Sequence, residues 1–103
     1  MRKRKIKLAP LHPGEILGKE FIQPLELSIR ALSRALHVPP NHVAGIVNRK
    51  RGITALMALR LARYFGTSAE FWMGMQAQYE LERAHDAAAA ALRKIKPRQR
   101  SAA

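Results

Sequence analysis

Residues 28–47 read SIRALSRALHVPPNHVAGIV, and the pair Pro39-Pro40 in this stretch decides how the chain is built. A proline pushes the residue before it toward extended backbone, so Val38 is barred from a continuing helix. Proline is also at home in the first turn of a helix, where its missing N–H has no partner to lose. One helix therefore ends near Leu36, a three- or four-residue turn follows, and a second begins near Pro40. Ser28 is a good N-cap for the first, whose apolar residues Ile29, Leu32, Ala35 and Leu36 recur at helical spacing. The second turns Val43, Ile46 and Val47 to one face and leaves Asn41, His42, Ala44, Gly45 and Asn48 largely outward.

Outward from this pair the same rules hold. Upstream, Pro13 and Gly14 open a helix carrying Ile16, Leu17 and Phe21, which Pro24 stops. Downstream, Asn48 to Gly52 form a polar, basic loop, and Thr54 caps a fourth helix bearing Ala58, Leu59, Ala62 and Phe65, closed by Gly66. Ser68 starts a fifth, which runs through Phe71, Trp72, Met75, Tyr79 and Leu81 into the alanine block 87–91. Pro97 ends it, and no stretch alternates as a strand does. The reading is all-α: a five-helix bundle over 10–91, a flexible basic arm over 1–9 and a flexible basic tail over 92–103.

The 103 residues allow one core, and a formal charge of +12 points toward an anionic partner. The distribution of charge says more than its size. No acid occurs between Glu26 and Glu70, a span that holds Arg30, Arg34, Arg49, Lys50, Arg51, Arg60 and Arg63. Cysteine is absent, which removes disulfides and thiolate metal sites and fits a reducing cytoplasm. No apolar run is long enough to span a bilayer. His12, His37, His42 and His85 lack metal-ligand spacing, Asp86 is the only aspartate, and there is no Gly-rich phosphate loop. The chain is expected to need no cofactor or metal and to catalyse nothing.

Two short helices joined by a tight turn, with bases beside the second, fit a helix-turn-helix that lays its second helix in the DNA major groove. Asn41 and His42, just after Pro40, stand where base edges are met; asparagine pairs with adenine, and histidine donates to a guanine acceptor or a phosphate. Gly45 permits close approach, and Asn48 borders the loop. Ser28 and the N–H groups behind it can hold a phosphate, with Arg30 assisting. Arg49, Lys50 and Arg51 are placed to grip phosphates. Each has a plainer reading: Ser28 as a cap, Asn41 as a first-turn residue, the basic run as a solvated loop. Phe71 and Trp72 fit core packing, while Met75, Tyr79 and Leu81 reach past what four short helices can cover and become candidates for a dimer surface. A basic RNA-binding protein is the reading from another class, but Tyr64, Phe65, Phe71 and Trp72 read as core rather than as stacking aromatics.

His12-Pro13-Gly14-Glu15-Ile16-Leu17, Phe21, Pro24-Leu25 and Ser28 resemble the opening of the HigA/VapI antitoxins. The similarity continues through Val38-Pro39-Pro40, Ile46-Val47-Asn48, Lys50-Arg51-Gly52-Ile53-Thr54, Phe65-Gly66-Thr67-Ser68 and Glu70-Phe71-Trp72, to Tyr79-Glu80-Leu81. The resemblance implies a lambda-repressor-like (XRE) fold and a homodimer that binds a palindromic double-stranded operator and represses its own operon. It further implies a HigB-like, mRNA-cleaving toxin neutralised by direct binding; a regulator of the same fold without a toxin is the alternative. The chain departs from many relatives at two places, with His37 and Arg49 where they carry glycine.

Overall fold

The structure, a computed structural model, describes residues 9–99. The expected basic arm therefore lies outside the described residues except for Ala9, as do residues 100–103 of the tail. The elements are all helical: α1 (Pro13–Ile16), running on into a π-helical segment (Leu17–Ile22), α2 (Ile29–Leu36), α3 (Pro40–Val47), α4 (Ala55–Phe65) and α5 (Ala69–Arg93). The C-terminal end of the fifth helix lies two residues past the alanine block, and Ala88 (φ −114°, ψ 17°) leaves helical geometry inside it.

The starts of α1, α2, α4 and α5 each follow from a side chain that takes an otherwise unpaired N–H. His12 Nδ1 accepts from the Gly14 N–H at 2.8 Å, with Pro13 in the first turn. Ser28 Oγ accepts from Ala31 at 2.9 Å, Thr54 Oγ1 from Met57 at 3.2 Å, and Ser68 Oγ from Phe71 at 3.0 Å. The stops are equally local. The first helix widens so that Gln23 N–H bonds the Gly18 carbonyl, and Pro24 can donate nothing to prolong it. α2 ends on His37 in the left-handed region (φ 61°, ψ 45°), and α4 on Gly66 (φ 76°). Pro39 is extended and Pro40 opens α3, as their ring constraint requires.

The core joins Leu17, Leu32, Leu36, Val43, Ile46, Ile53, Met57, Ala58, Leu61 and Trp72. Trp72 is fully buried, and its Nε1–H donates to Thr67 Oγ1 at 2.8 Å, so burial leaves no orphan donor. Phe21 stands against it with ring centroids 5.1 Å apart and against Phe65 at 4.8 Å.

The expected core needs correction at four places. Leu59 is 58% exposed and Ala35 lies on the surface of α2, because the buried stripe of α4 is Met57-Ala58-Leu61 and that of α2 is Leu32-Ser33-Leu36. Ser33 is tolerated inside because its hydroxyl donates to the Ile29 carbonyl at 2.7 Å. Tyr64 and Phe71 are 45% and 40% exposed; both rest a ring face or edge on an aromatic neighbour rather than entering the core. From Glu80 onward α5 is exposed apart from the partly covered Ala88 and Ala89.

Candidate nucleic-acid interface

α3 is fixed from its inner side. Val43 and Ile46 are fully buried, and Gly14 packs so tightly on the Ile46 carbonyl that a Cβ there would lie 1.8 Å from the oxygen. That contact sets α1 against α3 and leaves the first turn and the C-cap of α3 open on the opposite side. On that side Asn41 is exposed in the first turn beside Pro40, and Asn48 is exposed at the C-cap. Arg30, Asn41, Asn48 and Lys50 have exposed side chains that make no hydrogen bond or ion pair among the described residues. Ser28 is also exposed; its oxygen accepts the cap bond, and its hydroxyl proton stays available.

A groove of about 490 Å³ brings the start of α2 (Ile29) beside the end of α3 (Val47, Asn48, Arg49), with Glu15, Gly18 and Lys19 of the first helix on its other wall. Ser28, the residue before Ile29, therefore sits next to the basic loop.

The loop 48–52 is pinned rather than loose. Lys50 and Arg51 N–H groups both reach the Gly45 carbonyl, at 2.7 and 3.2 Å. Arg49 takes the left-handed conformation (φ 63°), and its guanidinium pairs with the Glu15 carboxylate. Gly52 lies against Gln76, leaving no room for a Cβ, and the buried Gln76 accepts from the Ile53 N–H at 2.8 Å while donating to Glu80 at 2.7 Å. Left-handed backbone at both His37 and Arg49 explains why glycine suits these two positions.

The histidines divide. His12 is buried; its ring stands edge-on to Tyr79 at 4.7 Å. Burial holds its pKa below the usual histidine value, the Arg49 charge adds to this, and a hydrogen bond to the Arg51 backbone and the Glu15 carboxylate pull the other way. His42 is half-buried. Its Nδ1 faces Arg51 Nη1 at 2.7 Å, and its Nε2 is buried with no partner among the described residues. Burial, then the charges of Arg51 and Arg60, lower its pKa.

Sequence reasoning missed several of these residues. His12 as the first cap was readable, since His-Pro-Gly at a helix start places an acceptor where the free N–H groups lie. Gln76, 23 residues from the N–H it satisfies, gave no local signal. Arg60, one of the bases in the acid-free span, is half-buried and donates to the Leu36 carbonyl at 2.7 Å, closing α2. Of the three dimer candidates, Met75 packs on the core and Tyr79 on His12, while Leu81 is 67% exposed. Among the described residues no three His, Cys, Asp or Glu side chains come together to hold a metal, and no helix is long and apolar enough to cross a membrane.

A helix seated by its inner face, with a polar first turn outside and a fixed basic loop behind, defines a DNA-reading helix-turn-helix and not an enzyme. Residues 19–72 match the helix-turn-helix family profile, about half of the chain, and the chain belongs to that family. It is 50% identical over 80 residues, 78% of this chain and 74% of the relative, to virulence-associated protein I of Dichelobacter nodosus. It is 36% identical over 78 residues, 76% of this chain and 73% of the relative, to antitoxin HigA-1 of Vibrio cholerae. Among solved structures it is similar to the Pseudomonas aeruginosa antitoxin HigA with the higBA promoter, at 47% identity and a TM-score of 0.85, covering 87% of this chain and 99% of that one.

Proposed function

We propose that this protein is the DNA-binding antitoxin of a toxin–antitoxin pair, working in the cytoplasm as a homodimer that binds a palindromic operator in its own promoter and represses its own operon. The observation that carries the DNA half is α3 itself: Val43 and Ile46 lock its inner face, and Asn41 stands exposed in its first turn. Support also comes from a relative with 47% identity that was solved with promoter DNA. On this reading Asn41 meets a base edge, Ser28 with the α2 N-terminus and Arg30 hold one phosphate, and Lys50 with Asn48 holds another. A two-fold dimer sets its two reading helices about 34 Å apart on one face of the duplex. The exposed end of α5 carries that dimer, with Leu81 as the apolar contact and Met75 and Tyr79 behind it. The toxin half, neutralisation of a HigB-like mRNA-cleaving protein by direct binding, is supported by the antitoxin relatives.

A mobility shift on the chain's own promoter across a salt series tests the first half. The expected result is a dimer-sized complex on an inverted repeat that weakens steeply with salt as condensed counterions are released. Asn41→Ala should cost about 1–3 kcal/mol and relax specificity, whereas Lys50→Ala should weaken binding to all sequences alike. Equal binding to unrelated DNA and to structured RNA would sink this reading. Co-expression with the neighbouring reading frame tests the second half: rescue of growth supports it, and a neighbour whose toxicity is unaffected refutes it.

A further inference from the structure

Three features of the α3 surface converge on one side chain. Arg51 doubles back from the loop and lies across Gly45: a Cβ on Gly45 would come within 3.2–3.4 Å of Arg51 Cγ, Nε and Cδ. One helical turn earlier, His42 Nδ1 meets Arg51 Nη1 at 2.7 Å. Arginine is always a donor, so this bond requires Nδ1 to be the unprotonated acceptor and places the ring proton on Nε2. Nε2 is buried, so His42 has no ring nitrogen left to offer to DNA. An arginine in solvent keeps its rotamers; this one is laid flat on the reading helix and held at its tip.

We propose that His42 is a positioning residue, not a base reader, and that with Gly45 it fixes the Arg51 guanidinium as the specificity-determining group for a guanine edge. The proposal rests on the DNA-binding reading above. Arginine's planar fork matches the O6/N7 acceptor pair of guanine, and the donors not engaged by His42 remain for it. Holding the fork before DNA arrives removes part of the ordering cost of binding. Gly45 thereby gains a reason of its own, since an interior glycine weakens a helix relative to alanine.

The test uses the full-length protein on two duplexes of equal length, the promoter inverted repeat and a shuffled sequence of the same composition. Arg51→Ala should weaken the repeat about 10–100-fold and the shuffled duplex far less. His42→Ala should weaken the repeat about 3–10-fold, the size of one lost hydrogen bond. His42→Asn, which sets a carbonyl oxygen near the place of Nδ1, should recover most of that loss. The double variant His42→Ala/Arg51→Ala should bind no more weakly than Arg51→Ala alone, because His42 acts only through Arg51. Additive losses would show His42 touching DNA independently and overturn the proposal, as would His42→Asn binding as weakly as His42→Ala. Equal loss on both duplexes for Arg51→Ala would make it a phosphate grip and overturn the base-reading role. If the unmodified protein shows no preference for the repeat, the DNA reading itself fails and the proposal with it, a result visible before any variant is made. Circular dichroism melts of each variant separate lost binding from lost fold.

Discussion

Gly14 is the joint on which the seating of α3 depends, and replacing it by alanine tests that geometry directly. The added Cβ would stand 1.8 Å from the Ile46 carbonyl oxygen and 2.7 Å from its carbon. Non-bonded heavy atoms rest at about 3.5 Å, so α1 and α3 must part by roughly 1.5 Å, and both atoms met belong to backbone that has no rotamer to change. Overpacking a core costs about 1–3 kcal/mol, occasionally more, and a backbone clash belongs at or above the top of that range. Alanine returns up to about 1 kcal/mol through lower chain entropy and better helix propensity. The net loss is about 2–3 kcal/mol, which for a domain of this size lowers Tm by about 10 °C or more. Two other glycines serve as controls. At Gly18 a Cβ meets only Val47 Cγ1 at an ordinary 3.6 Å, and at Gly74 it meets nothing within 4 Å. Gly74→Ala should raise Tm by a few degrees, and Gly18→Ala should leave it near or slightly above the parent. Thermal melts followed by far-UV circular dichroism decide the matter. A Gly14→Ala protein melting within about 2 °C of the parent would refute the close α1–α3 contact and the seating argument built on it.

Other outcomes follow from the same geometry. His37→Gly relieves left-handed backbone (φ 61°) and should stabilise by about 0.5–1 kcal/mol in a urea titration, the strain relief exceeding glycine's greater unfolded freedom. Arg49→Gly relieves φ 63° but gives up the pair with Glu15, so its gain should be smaller; a larger gain than at His37 would contradict the pairing. Gln76→Leu strands the buried Ile53 N–H and should cost about 1–3 kcal/mol, measurable as a shift in denaturation midpoint at unchanged slope. For pH, His12 and His42 both have native pKa values below the ordinary 6.5, chiefly through burial, so the unfolded chain binds more protons below that value. Stability should be constant above about pH 6.5 and fall as pH drops from there toward the lowered native values, and a His12→Asn variant, which keeps a cap oxygen, should show a shallower fall. A parent protein equally stable at pH 7 and pH 5 would contradict both shifts.

Much of the helix order could be read from the chain because its causes are local. Proline geometry at 39–40, cap side chains at Ser28, Thr54 and Ser68, and Gly66 at the end of α4 act within a few residues, and the structure places the helix ends where they direct. The left-handed backbone at His37 and Arg49 was foreshadowed by the family resemblance, as places where many relatives carry glycine. Burial was less legible. The stripe of α4 turns on which neighbours arrive from α2 and α5, so Leu59 and Ala58, adjacent in sequence, end at 58% and 0% exposure. At the site, periodicity showed that Asn41 faces outward, since a helix whose inner face is apolar leaves its polar residues on the other side, while Lys50 was placed in the basic loop that follows.

What the sequence by itself determined, then, is the helix–turn–helix frame around Pro39-Pro40: backbone sterics and capping need no distant partner. Only the tertiary structure decided which of its basic and polar residues are free to act. Arg49 is taken by Glu15 and Arg60 by the Leu36 carbonyl, Arg51 is held by His42 across Gly45 with other donors to spare, and Arg30 and Lys50 stay unengaged among the described residues. The physical reason is reach. A guanidinium ends several bonds from its own backbone, so its partner is set by which carboxylate, carbonyl or imidazole the packed helices bring to it, and residues 34 or 24 positions apart meet only once the core has formed.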